Sequence, residues 1–256
     1  MKRRNNLANH HARQYIAAVF AEPLQKAGFS CLDDNLLCWQ CRRGGEIINT
    51  IVFYTTSAKL PLFLEIGFGI FPVFAKPVYI GNVVYNEVPD EELFTYARIV
   101  ENYPNGGTCG RYSDDIQVMA PLQDERGAYT LHGLLLPQME QIENIQEAYT
   151  FHKNRRKNSP MAHIFPPEKP YGALSKTFIS MALWVGDEEM YPYARASAEE
   201  SVALYQSLSR RFPWKQQYNW ELAQWKHLQE VLQSGNRVAY VAELSQRIEQ
   251  NTRHLE

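Results

Sequence analysis

"LLCWQCRRGGEIINTIVFYTTS", residues 36–57, decides how the first half of this chain reads. Two runs rich in β-branched and aromatic residues flank Gly44-Gly45, a pattern of strand, turn and strand. In the second run Ile47, Asn49, Ile51, Phe53 and Thr55 share one face of a strand, and Ile48, Thr50, Val52, Tyr54 and Thr56 share the other. Both faces are partly apolar, so the sheet is expected to be covered on one side and partly covered on the other. Working outward, "FSCL" (29–32) precedes this hairpin across Asp33-Asp34-Asn35, and "LFLEIGFGIF" (62–71) follows a loop around Lys59-Leu60-Pro61. Four successive strands with short connections predict an antiparallel meander.

The same stretch raises a chemical question, because Cys38 and Cys41 stand at C-x-x-C spacing. A redox pair places its first cysteine at a helix N-terminus, where the dipole stabilises the thiolate. A zinc pair brings both sulfurs to about 2.3 Å from one point. On a strand the two side chains point to opposite faces, with backbones roughly 10 Å apart. The cysteines therefore read as strand residues, and no metal or cofactor is expected. His10 and His11 are adjacent and diverge on a helix, and the other histidines are scattered. No nucleophile elbow or phosphate-binding glycine loop occurs.

Before the sheet, residues 7–27 predict a helix. Tyr15, Ile16, Val19, Phe20, Leu24 and Ala27 form its apolar stripe, Pro23 bends or splits its last turn, and Gly28 ends it. After residue 72 a helix is expected over 88–102, a polar glycine-rich loop over 102–115, a short strand over 116–120 and a helix over 138–157. Residues 158–172 carry four prolines and read as a linker. Everything beyond is helical in pattern, and Ser197 followed by Glu200 matches a capping box that would open one helix. The expectation is an α+β fold: an N-terminal helix on an antiparallel meander within 1–157, the linker 158–172, and a helical region over 173–256.

The chain has 256 residues, 45% hydrophobic content and a formal charge of −2. It lacks the global basic field of a nucleic-acid binder, and no nucleic-acid partner is expected. The longest apolar tract, residues 60–75, is too short to span a bilayer as a helix and contains Glu65 and Pro72. No uninterrupted apolar run precedes a cleavage site near the N-terminus, so a cytoplasmic location with reduced cysteines and no membrane partner is expected. Two regions hold candidate functional residues. Arg111, Asp114 and Asp115 follow a flexible glycine-rich turn, and they read either as binders of an anion or a metal or as the ordinary polar residues of a loop. Trp214, Trp220 and Trp225, with Tyr218, crowd one helical segment, and such residues serve either an interface or a packed core.

"EPLQKAGF", the aromatic-before-arginine pattern of "LLCWQCRR", the glycine turn and "INTIVFYTTS…LFLEIGFGIFP" together resemble a bacterial family, domain of unknown function 4304. Leu24, Gly28, Phe29, Trp39 and Arg42 stand in the family's places, and the likeness covers residues 16–71. It implies an α+β fold and carries over no catalytic residue. The leading expectation is a non-catalytic protein-binding module, with neutralisation of a toxin by an immunity protein as one instance. The alternative is a small-molecule-binding domain or enzyme with its site in the 103–115 loop. Oligomeric state stays open.

Overall fold

The computed structural model describes residues 13–14, 16–32, 38–55, 62–75, 77–80, 83–86, 110–112, 131–133, 136–157 and 171–255. The fold is α+β, with the antiparallel sheet towards the N-terminus and helices in the C-terminal half. Contacts divide the chain into two units, Met1–Asn144 and Ile145–Glu256. Residues 145–157 thus group with the helical region, whereas the sequence pattern put them with the sheet. The proline-rich segment falls largely outside the described residues, as do the helix expected over 88–102 and the strand expected over 116–120.

In the first unit, strands β1 (Ser30–Cys31), β2 (Cys38–Arg43), β3 (Ile47–Thr55) and β4 (Leu62–Pro72) form the expected meander. Strands β5 (Pro77–Ile80) and β6 (Val83–Asn86) pair as a separate antiparallel hairpin that the weak pattern after residue 72 did not announce. A short strand β7 (Gly110–Tyr112) completes the main sheet by pairing with β4. The β2–β3 turn depends on its glycines. Gly44 and Gly45 have φ of +56° and +79°, and a Cβ on Gly44 would lie 1.9 Å from the Glu143 carbonyl oxygen. Only glycine satisfies both the left-handed backbone and that approach.

Register places Trp39 opposite Ile51 and Cys41 opposite Asn49, so the odd-numbered residues of both strands share one face. The N-terminal helical segment covers it: a π-helical turn, Ala17–Ala21, leads into α1 (Glu22–Lys26). Pro23 sits in the first turn of α1, where its missing N–H costs nothing. The Phe20 and Phe53 rings meet at 4.9 Å, and Arg43 donates to the Ala27 carbonyl at the helix end. That end closes as a Schellman motif, with Phe29 N–H on Leu24 O and Gly28 N–H on Gln25 O. On the opposite face Gln40 donates to Thr50, and the Phe71 ring fills the space a Cβ on Gly69 would need. Cys38 and Cys41 are both buried, on opposite faces of β2. Burial pushes the Cys41 thiol up despite the charge of Arg43, which keeps it protonated and unreactive near neutral pH.

The helix expected over 138–157 is two helices, α2 (Leu136–Glu140) in the first unit and α3 (Ile145–Lys157) in the second. The second unit continues with α4 (Lys176–Val185), α5 (Tyr191–Arg211), α6 (Gln216–Ser234) and α7 (Arg237–Leu255). Helix α4 is buried continuously from Thr177 to Leu183, as its nearly all-round apolar sequence requires. Ser175 caps its start by accepting from Phe178 N–H. Its last carbonyls, on Leu183 and Trp184, accept from the Arg237 guanidinium at the start of α7. A positive side chain there also suits the helix dipole. The capping box at Ser197 and Glu200 is overturned. Helix α5 starts at Tyr191 with Pro192 in its first turn, and Ser197 lies inside it, accepting from the Leu174 N–H at 3.1 Å.

Candidate functional site

The residues singled out by sequence separate once placed. Arg111 belongs to β7, an edge strand of the sheet among the described residues, opposite Phe63 of β4. The stretch read as loop is therefore partly a strand. Asp114 and Asp115 lie outside the described residues. Among the described residues no group of three or more His, Cys, Asp or Glu could hold a metal ion.

The three tryptophans occupy different environments. Trp225 is 6% exposed and belongs to the core of the helical unit, so it has no face to offer a partner and leaves the interface set. Trp220 is 39% exposed and Trp214 is 71% exposed. The reason lies in helix pairing. Helices α5 and α6 pack on each other as an antiparallel hairpin, but α5 contributes its buried residues, Ala194, Ser197 and Ala198, only from its N-terminal half. From Glu199 to Trp220 every residue is described and none is buried. The hairpin tip thus extends beyond the packed core, held by pairing and local contacts.

At the tip, Phe212, Pro213, Trp214 and Lys215 form a turn closed by the Lys215 N–H on the Phe212 carbonyl at 3.0 Å. Pro213 occupies the position where its fixed φ favours such a turn. Trp214 meets Phe212 edge to face, with ring centroids 5.7 Å apart at 87°. Phe212 in turn lies 6.0 Å from Tyr218, and Tyr218 lies 6.4 Å from Tyr205. Cations lie over these rings. The Arg211 guanidinium is 5.2 Å from the Phe212 centroid, and the Lys215 ammonium is 5.5 Å from Phe212 and 5.3 Å from Tyr218. Each such contact contributes about 0.5–1 kcal/mol at an exposed site, enough to bias a side chain towards one position. Leading away from the turn, Ala203, Gln206, Ser207, Arg210 and Arg211 share one face of α5 and line an open groove of about 420 Å³. Leu204, 55% exposed, lies beside them in sequence.

Away from the tip, several polar groups pair with one another. Glu221 is 1% exposed and accepts from Lys176 at 3.0 Å, and the Lys176 ammonium also sits 4.9 Å from the Trp220 centroid. Tyr149 donates to Asp187 at 2.6 Å, and Lys153 on the next turn of α3 pairs with the same carboxylate. Burial and the hydrogen bond to Asp187 push the Tyr149 phenol far above its ordinary value, so it donates a proton in this contact and does not serve as a base. This group clasps α3 to the turn after α4.

Phe212, Arg210, Arg211 and Lys215 were not singled out from sequence. A signal was available: residues 201–220 contain no aspartate or glutamate and three basic residues, all of them between positions 210 and 215. No family model matches the chain, and neither does any curated protein or solved structure. Among the described residues no helix is long and apolar enough to cross a membrane.

Proposed function

We propose that this chain is a non-catalytic, cytosolic protein-binding module whose docking surface is the tip of the α5–α6 hairpin. The observation that carries the reading is Trp214, 71% exposed on a hydrogen-bonded turn and braced edge-on by Phe212. Tryptophan, tyrosine and arginine dominate binding hot spots because they bury large area and keep a polar handle. Here Trp214, Tyr218, Arg210 and Arg211 gather at one end of a helical hairpin that contributes nothing to a core there. The bracing reduces the side-chain ordering that association would otherwise cost. Membership of family 4304, through Leu24, Gly28, Phe29, Trp39 and Arg42, is part of the same proposal and concerns only the sheet unit.

The test is a photo-reactive residue at Gln217, exposed beside the turn, in the full chain within cells. A discrete protein adduct that disappears on Trp214→Ala, with helix content and melting unchanged, is the expected result. An adduct indifferent to Trp214→Ala would remove the tip from the binding surface.

A further inference from the structure

Resting on the reading of the tip as a docking surface, we propose that its occupant is an acidic segment of the partner protein, carrying carboxylates beside at least one large apolar side chain. Charge is the first argument. Between Ser201 and Trp220 the chain has no carboxylate, and Arg210, Arg211 and Lys215 supply three positive charges. The carboxylate next in sequence on the α6 side, Glu221, is buried and paired with Lys176, so it does not neutralise the tip. Glu199 and Glu200 are exposed further back on α5, so the positive charge is concentrated at the turn, where it suits carboxylates and disfavours a basic sequence.

Placement is the second argument. Arg211 lines the groove along α5 and also lies over the Phe212 ring, so groove and aromatic turn are continuous through one side chain. A carboxylate accepted by Arg210 or Arg211 would set the neighbouring residues of its segment beside Ala203 and Gln206 on one side and Phe212 and Trp214 on the other. Arginine suits this role because its planar fork binds a carboxylate through two parallel hydrogen bonds. Gln206 and Ser207 add donors and acceptors for the segment's backbone.

A single-stranded nucleic acid would also stack on exposed aromatic rings. The charge count disfavours it. Phosphate-dominated binding draws on roughly 6–10 contacts, more than Arg210, Arg211 and Lys215 supply. Three cations match two or three carboxylates of a short segment better than a phosphate backbone.

Peptides displayed on phage are selected on the full chain, and a selected peptide is then labelled for polarisation titrations. The expected consensus is rich in Asp and Glu around Leu, Phe or Trp. Replacing its acids by Gln, introducing Arg210→Glu with Arg211→Glu, or introducing Trp214→Ala should each weaken binding at least about tenfold, with circular dichroism unchanged. Neutral or basic peptides whose binding still needs Trp214 would overturn the acidic occupant and leave the docking surface standing. Peptides indifferent to Trp214→Ala, or no enrichment at all, would overturn both. Oligouridylate binding more tightly than the peptide and displacing it would replace the protein segment by nucleic acid.

Discussion

The two ends of the α5–α6 hairpin are built from similar residues and held by different forces. At the base, Trp225, Leu228 and Leu232 are buried, Glu221 pairs with Lys176, and Arg195 from α5 donates to the Leu232 carbonyl near the end of α6. At the tip, Phe212 meets Trp214 and Tyr218 and lies under Arg211 and Lys215, and nothing from Glu199 to Trp220 is buried. Burial of apolar area is the larger force, about 25 cal/mol per Å², so the base carries the stability of the hairpin. The tip keeps its shape through helix pairing and a proline turn, which leaves its aromatic surface available.

The contrast breaks most readily at Trp225. Trp225→Ala should destabilise the helical unit by about 3–5 kcal/mol in denaturant titration, because it leaves a cavity where the ring was. A loss below 1 kcal/mol would mean that the base is no better packed than the tip. Next in size is Lys176→Met, which takes the ammonium away from the buried Glu221 carboxylate and should cost about 1.5–3 kcal/mol. Glu221→Gln should cost less, because Lys176 retains some exposure to water and keeps its place over Trp220. Equal losses in the two variants would show that leaving the Glu221 charge without Lys176 costs no more than removing the charge itself.

A smaller effect concerns pH and the Tyr149–Asp187–Lys153 clasp. Burial raises the Asp187 carboxyl, but hydrogen bonds from Lys153 and Tyr149 outweigh it and hold the group below its ordinary value. The contribution is therefore full above about pH 4 and is lost as pH falls through the folded value. For Lys153 burial lowers the ammonium and Asp187 more than compensates, so that contribution is full below about pH 10 and is lost as pH rises beyond it. Thermal melts should show a plateau between these limits, and Asp187→Asn should flatten its acid edge. The smallest expected change is Trp214→Ala, within about 0.5 kcal/mol of the parent in the same titration. A larger loss would make Trp214 a structural residue and weaken the case for the tip as a binding surface.

Much of the sheet was legible beforehand because its signals are local. Alternation in β3, the Gly44-Gly45 turn and the short connections around it are consequences of backbone geometry that neighbouring residues impose on each other. The opposite orientation of Cys38 and Cys41 follows from the same period of two. The helix end marked by Gly28 was readable for the same reason, since it adopts a positive φ that other residues resist. Ser197 shows where local reasoning fails. A serine three residues before a glutamate looks like a cap, but its hydroxyl meets the Leu174 N–H, a partner 23 residues away. The pairing of β7 with β4 was equally hidden, because its three residues sit within a glycine-rich stretch and gain their strand from a distant neighbour.

The sequence by itself determined the α+β class, the meander and the location of an aromatic cluster in the helical half, since composition and period are properties of the chain. Which tryptophan of that cluster faces solvent was decided only by tertiary structure. Trp220 and Trp225 lie on one helix five residues apart, and their patterns do not say where the packed core stops. That limit is set by the length of α5 that finds a partner beyond α6, a property of the assembled helices that no window of sequence contains.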